Sequence, residues 1–265
     1  MEINRSNIYD LVNKCSVRPD KDYGQNFLIE PLIAEKIVDF LEIKKDDYVL
    51  EIGPGLGSLT HYAFDKCKLD VCDIDSRMID FLKIFYKEDI NYILNDVRKI
   101  DVSKYDKIIG NLPYNITTEL VTFLLTSSNA KKMVLMCQSE AFNRFFDLSG
   151  ENYGPVSVLL HLLGESKKVL TVKPDSFYPA PKCNSLVFAF DSKPVVDRET
   201  AINVYKMCKS LFLNRRKTIL NNLSNYSSKE KAIQVLKELS IEENKRPENI
   251  SPIDYLKMYQ LIKSK

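Results

Sequence analysis

Apolar positions along this chain switch repeatedly between a short continuous run and a helical spacing. Behind Pro31, which as a first helical residue needs no N–H donor, Ile33, Ile37, Phe40 and Leu41 recur three or four apart, predicting an amphipathic helix over 31–43. Tyr48-Val49-Leu50-Glu51-Ile52 is then a compact apolar run that stops at Gly53-Pro54-Gly55-Leu56-Gly57, which predicts a strand, a glycine loop and a helix from about Ser58. Leu69 to Ile74 predicts a second strand, followed by a helix through Ile79, Leu82 and Phe85. Tyr92-Ile93-Leu94 and Lys107-Ile108-Ile109-Gly110 predict two more strands, with a helix from about Thr117 to Leu125 and a further strand from Met133 to Cys137. Helices over about 139–147 and 154–163 and strands near 167–173 and 184–190 complete this half. Strands alternating with helices imply an α/β fold with a mostly parallel sheet covered on both faces. After Phe190 the texture changes. Asp191-Ser192-Lys193-Pro194 reads as a linker, and beyond it only short helices rich in Lys, Leu and Asn are predicted. The expected organisation is one domain over 1–194 and a small all-helical domain over 195–265.

Composition narrows the function classes. The chain has 265 residues and is 45% apolar, enough for a globular core and a smaller appended unit. No apolar stretch approaches the roughly 20 residues of a membrane-crossing helix. The N-terminal 22 residues are polar and of mixed charge, unlike a signal or transit peptide, so a cytoplasmic protein is expected. Six cysteines are scattered without a Cys-x-x-Cys pair, and the two histidines, His61 and His161, are far apart, so no metal centre, disulfide framework or histidine-based hydrolase is expected. The net charge of +2 makes the whole chain only weakly basic, but Lys131-Lys132, Lys167-Lys168 and Arg215-Arg216-Lys217 are local clusters able to neutralise phosphates if they share a face.

The candidate chemistry sits at strand ends. Glycines at Gly53, Gly55 and Gly57 let the backbone approach a ligand, and the following helix would present free N–H groups. About twenty residues further on, Asp73 and Asp75 end the next strand, where a carboxylate can accept from ribose hydroxyls. This pattern alone fits a dinucleotide, a nucleoside cofactor or a simple tight turn. Asn95-Asp96 ends the third strand and could accept from an adenine amino group, or serve as an Asx turn. Asn111-Leu112-Pro113-Tyr114 follows the fourth strand. There the Asn111 side-chain oxygen and the Leu112 carbonyl can accept from a planar amino group, Pro113 stiffens the turn, and Tyr114 offers a ring for a base to stack on. An aryl amine becomes nucleophilic as its nitrogen turns tetrahedral, and acceptors with a π face stabilise the charge that develops. Cytosine ring methylation would want a Pro-Cys nucleophile, which this turn lacks.

With these motifs in order, the chain resembles the small-subunit (16S) ribosomal RNA adenine dimethyltransferases, relatives of the erythromycin-resistance methylases of large-subunit rRNA. Gly24-Gln25-Asn26-Phe27-Leu28, Val49 to Thr60, Asn111 to Thr117, Phe177-Tyr178-Pro179-Ala180-Pro181 with Ser185, and Arg215-Arg216-Lys217-Thr218 with Asn221-Asn222-Leu223 carry the resemblance across nearly the whole chain. It implies a Rossmann-like class I methyltransferase fold that uses S-adenosylmethionine. It also implies cofactor contacts at Asn26, Leu28, Gly53, Asp73, Asp96 and Asn111, a catalytic turn at Asn111 to Tyr114, and a target adenine held between Tyr114 and Phe177. The implied substrate is rRNA of a small-subunit precursor particle, gripped in part by Arg215, Arg216 and Lys217 of a monomeric enzyme. Four positions depart from the family pattern: the mixed charge of Arg18 to Asp22, Glu119 where proline is common, Ser139 before Glu140, and Pro155 after Tyr153-Gly154. They leave a large-subunit methylase as the nearest alternative. A non-catalytic RNA-binding module is the alternative from another class, and it would need neither Asp96 nor the Asn111 turn.

Overall fold

In a computed structural model, residues 1–15, 17–20, 24–86, 90–113 and 115–264 are described. The chain divides into two compact units, one of Met1–Ala141 with Lys167–Ser192 and one of Phe142–Ser166 with Lys193–Lys265. The helical unit is therefore larger than the stretch 195–265, because Phe142–Ser166 clusters with it. The helix Pro155–Leu163 explains this, since its sequence is apolar on nearly every side and it buries Val158, Leu159, Leu160 and Leu162.

In the first unit the elements run α1 (Ile8–Lys14), β1 (Phe27–Leu28), α2 (Pro31–Phe40), β2 (Tyr48–Ile52), α3 (Thr60–Ala63), β3 (Lys68–Asp73), α4 (Ser76–Tyr86), β4 (Asn91–Leu94), β5 (Lys107–Asn111), α5 (Thr117–Ser127) and β6 (Lys132–Gln138). After α6 (Ser139–Phe146) and α7 (Pro155–Leu163) come β7 (Gly164–Val172), β8 (Phe177–Tyr178) and β9 (Ser185–Ser192). The seven-stranded sheet has the order β4-β3-β2-β5-β6-β9-β7. β2 is parallel to β3 and β5, β3 to β4, and β5 to β6, while β9 is antiparallel to β6. The central strands are buried on both faces, which is why they read as continuous apolar runs and not as alternation. Successive connections depart in opposite directions on either side of β2 and β5, so the crevice above their carboxyl ends is the place where this topology takes a ligand.

Several elements differ from the sequence expectation. The helix after the glycine loop covers only Thr60–Ala63, because residues 55–59 form turns first. The helix Ile8–Lys14 lies in the polar N-terminal stretch and buries Ile8 and Val12. β9 extends through Ser192 into the expected linker. β1 and β8 pair with each other, with Phe27 opposite Tyr178 and Leu28 opposite Phe177.

The second unit adds α8 (Arg198–Phe212), α9 (Ile219–Tyr226), α10 (Lys229–Glu238) and α11 (Pro252–Lys263). Each starts on a side chain that accepts from a backbone N–H of its first turn: Asp197 from Thr200, Thr218 from Asn221, Ser228 from Lys231 and Ser251 from Asp254. Tyr153 and Tyr255 are buried and donate their hydroxyls to the carbonyls of Ile250 and Pro247 at 2.8 and 2.7 Å. Among the described residues, no helix is long and apolar enough to cross a membrane.

Candidate active site

The site is built from the upper ends of β2, β3 and β5. At Gly53 the chain leaves β2 with φ +62°, a left-handed conformation that glycine adopts without a steric penalty. A Cβ there would stand 3.6 Å from the Asn111 carbonyl, so the loop lies against the end of β5. Gly57 has φ +88°, and a Cβ on it would come within 2.7 Å of Leu82, so glycine also permits the close packing of this loop on α4.

These turns wall a cleft of about 750 Å³, including its open mouth. Asn26, Leu28, Gly53, Asp73, Asn111, Leu112 and Pro113 all line it, together with Gln25, Glu51, Ser58 and Ile74. Five of the six cofactor positions implied by the resemblance thus meet in one cavity. Asp96 does not wall it. Its carboxylate caps the turn Val97–Lys99 and accepts from Arg98, whose hydrogen bonds hold it below the usual aspartate range.

The two carboxylates that end β3 have different fates. Asp75 is 4% exposed and accepts from Arg77 Nε at 2.9 Å, Arg77 Nη2 at 2.6 Å and Gln25 Nε2 at 2.9 Å. Burial alone would raise its pKa, but these bonds outweigh burial and hold it low. Asp73 faces the cleft. Burial, reinforced by nearby Asp75, pushes it up to about 6 against the backbone N–H groups that it accepts from. Glu51, at the floor, is 1% exposed; burial pushes it up to about 7, although Thr60 Oγ1 donates to it at 2.7 Å. A carboxylate shifted upward in a cleft is a group whose charge is not yet compensated.

Asn111 closes the arrangement. Its Nδ2 donates to the Asn26 carbonyl at 3.0 Å, which fixes the amide, while its Oδ1 is buried and has no hydrogen-bond partner among the described residues. Leu112 is 1% exposed and its N–H donates to the Met136 carbonyl, while Thr117 Oγ1 donates to the Pro113 carbonyl at 2.9 Å. Two side-chain bonds and one backbone bond thus hold the turn. Tyr114 lies outside the described residues.

Other sequence candidates stand elsewhere. Phe177 is 3% exposed and belongs to the core beside Leu28, so its ring is not an open stacking face in this state. In the helical unit Arg215 is engaged, donating to the carbonyls of Glu151 and Gly150 at 2.8 and 3.0 Å and lying 3.4 Å from Glu248. Arg216 and Lys217 are exposed. Sequence reasoning missed Glu51, Ser58 and Ile74. The signal for Ile74 was its position between the two aspartates: it is 51% exposed, an apolar side chain left open at the mouth. Ser58 donates its hydroxyl to the Leu28 carbonyl at 2.5 Å, pinning the N-terminal segment to the glycine loop.

Comparisons with known proteins give the family. A family model described as ribosomal RNA adenine dimethylase matches residues 17–264. The "Ribosomal RNA small subunit methyltransferase A" of Malacoplasma penetrans is 41% identical over 254 residues, covering 93% of each chain. A protein of the same name from Clostridium botulinum (strain Kyoto / Type A2) is 33% identical over 270 residues, covering 97% of this chain and 98% of its own. Among solved structures, a dimethyladenosine transferase from Plasmodium falciparum superposes with a TM-score of 0.75 at 28% identity, over 88% of this chain and 95% of that one. The 23S rRNA methyltransferase ErmE superposes at 0.71 with 21% identity, over 89% and 99% of the two chains, which is a likeness of fold.

Proposed function

The chain belongs to the ribosomal RNA adenine dimethylase family, and we propose that it transfers two methyl groups from S-adenosylmethionine to the N6 amine of adenine in small-subunit rRNA. The observation that carries this reading is the Asn111 Oδ1 atom, a buried acceptor without a partner among the described residues, fixed beside the glycine-lined cleft at the sheet's switch point.

The residues present fit the cofactor. Asp73 is a carboxylate suited to two ribose hydroxyls, Gly53 leaves room for a close backbone approach, Ile74 offers an apolar surface for the adenine, and Asn26 and Leu28 form the opposing wall. When bound, S-adenosylmethionine supplies a methyl carbon made electrophilic by its sulfonium. The chain's own contribution is positioning and charge stabilisation. Asn111 Oδ1 and the Leu112 carbonyl accept the two N–H groups of the target amine, turning its lone pair out of the ring and toward the cleft. As positive charge builds on that nitrogen, these oxygens stabilise it more than they stabilise the neutral amine, which lowers the barrier. The proton then leaves to solvent. No strong base is needed, and neither is a metal ion or a second copy of the chain.

Tyr114 would stack on the extruded adenine, and Phe177 would close on its other face after its present cover moves aside; such stacking is worth about 1–3 kcal/mol per base. Arg216 and Lys217 would contact RNA phosphates, with Arg215 holding their loop in place. A target in small-subunit precursor particles puts the enzyme in the cytoplasm.

The test is to incubate the purified protein with labelled S-adenosylmethionine and either small-subunit particles lacking adenine methylation or naked large-subunit rRNA, then digest to nucleosides for mass spectrometry. Dimethyladenosine in the small-subunit sample is expected. Label in the large-subunit sample alone would assign the alternative substrate, and no label in either would assign a binding role.

A further inference from the structure

Arg98 and Glu119 are used by nothing in the reaction described above, yet with Asp96 they form a connected charged group. Arg98 donates its backbone N–H to Asp96 Oδ1 at 2.9 Å, its Nε to Oδ1 at 2.9 Å and Oδ2 at 3.1 Å, and its Nη2 to Oδ2 at 2.5 Å. Its remaining arm, Nη1, donates to Glu119 Oε1 at 2.5 Å. Glu119 lies in the first turn of α5, the helix that opens directly after the Asn111–Ile116 turn.

We propose that Arg98, anchored by Glu119, is a positioning residue for the cofactor's adenine: it fixes the rotation of the Asp96 carboxylate so that one acceptor direction stays free for the adenine 6-amino group. This rests on the functional reading above. A carboxylate has four lone-pair directions. Three hydrogens occupy them: the Arg98 backbone N–H on Oδ1, Nη2–H on Oδ2, and the single Nε–H shared between Oδ1 at 2.9 Å and Oδ2 at 3.1 Å, which leaves the carboxylate the capacity for one further donor. A planar guanidinium fork defines the carboxylate plane in a way that a lysine cannot. Because the third arm of the same guanidinium ends on α5, the Asp96 carboxylate and the helix behind the catalytic turn share one connection. An isolated exposed ion pair contributes little, but a bidentate pair extended into a network of three charges holds geometry better. Glu119 thereby acquires a role at a position where the resembled family commonly has proline.

A purely structural clamp on the turn Val97–Lys99 would also use Arg98, so the test has to read the adenine itself. S-adenosylhomocysteine and S-inosylhomocysteine differ at position 6 of the purine, where the second carries a carbonyl in place of the amino donor. Binding of each is measured by calorimetry for the wild type, Arg98→Met, Arg98→Lys and Glu119→Gln. The wild type is expected to prefer the adenosyl compound. Arg98→Met should weaken the adenosyl compound about tenfold and the inosyl compound about twofold or less, so that the preference collapses. Arg98→Lys should restore little of it, and Glu119→Gln should weaken the adenosyl compound about two- to threefold. Equal weakening of both compounds, or no change in either, would overturn the assignment. A wild type that bound neither compound would sink the functional reading and this inference together, which is a different outcome from a normal wild type with an indifferent Arg98 variant.

Discussion

At the edge where the parallel strands begin, buried charge is met by opposite charge. Lys107 lies 2.7 Å from Asp47, Lys132 bridges Glu42 at 2.9 Å and Asp191 at 3.3 Å, and Asp70 accepts from the hydroxyls of Tyr48 and Tyr105 at 2.6 and 2.7 Å. At the edge where the same strands end, Asp73 and Glu51 have raised pKa values, and Asn111 Oδ1 has no partner among the described residues. One chain, with similar strands, meets its buried charges with counter-charges or hydroxyl donors at one edge, although Asp70 Oδ1 has no partner among the described residues, and at the other leaves two uncompensated carboxylates and Asn111 Oδ1 lining the cleft. Burying an unsatisfied acceptor costs free energy, so its presence at a cleft is informative in a way that a salt bridge is not. The comparison says which edge is scaffold and which edge waits for a ligand.

The sharpest way to break this contrast is Asn111→Ala. Single-turnover methyl transfer should fall about a hundred- to a thousandfold, the usual loss for one acceptor or donor that acts mainly in the transition state. Calorimetry should show a much smaller loss of S-adenosylhomocysteine affinity. Equal losses in both would mean that Asn111 serves the cofactor alone. Next in size is a pair of substitutions two residues apart. Asp73→Asn should raise the cofactor KM roughly ten- to a hundredfold with little change in melting temperature, since it removes a carboxylate that nothing in the fold neutralises. Asp75→Asn should do the reverse, costing about 1–3 kcal/mol of stability through the lost bonds to Arg77 and Gln25. If the two variants behaved alike, the distinction between a scaffold acid and a ligand-facing acid would fail. The smallest expected effect belongs to the opposite edge. Lys132→Met should cost about 1–2 kcal/mol in chemical denaturation while leaving cofactor affinity unchanged.

Much of the satisfied framework was legible in the sequence. Tyr48–Ile52, Lys107–Asn111 and Lys132–Gln138 are strands whose apolar runs are long enough to mark them, and α5 starts at the expected Thr117. The bridge between Phe27–Leu28 and Phe177–Tyr178 was not legible, because two residues carry no period and the pairing joins distant segments. Nor was the membership of Phe142–Ser166 in the helical unit, since a helix apolar on nearly every side fits either core. In the site, the Asn111 turn and the glycine loop were visible because their chemistry is local. The Asx-turn reading of Asn95-Asp96 holds for Asp96, which caps Val97–Lys99, but the fates of Asp75 and Arg215 were not visible, because each depends on which donor or acceptor folding brings beside it: Arg77 and Gln25, and the carbonyls of Gly150 and Glu151. Phe177 illustrates the same limit, as an aromatic in a target-loop motif that folding has placed in the core.

The contrast between the edges reduces to the ionisation of Asp73. Its pKa near 6 lies above the usual 3.8, so the folded chain holds an extra proton between those values. Stability contributed by the protonated form is then lost as pH rises toward 6, while cofactor affinity is gained over the same interval, because only the carboxylate accepts from both ribose hydroxyls. The direct measurement is the dissociation constant of S-adenosylhomocysteine for wild type and Asp73→Asn between pH 5 and pH 8. The account predicts a wild-type constant that is flat above about pH 7 and roughly tenfold weaker by pH 5, and a variant that is weak and flat throughout. A wild-type profile without that step, or the same step surviving in Asp73→Asn, would contradict it.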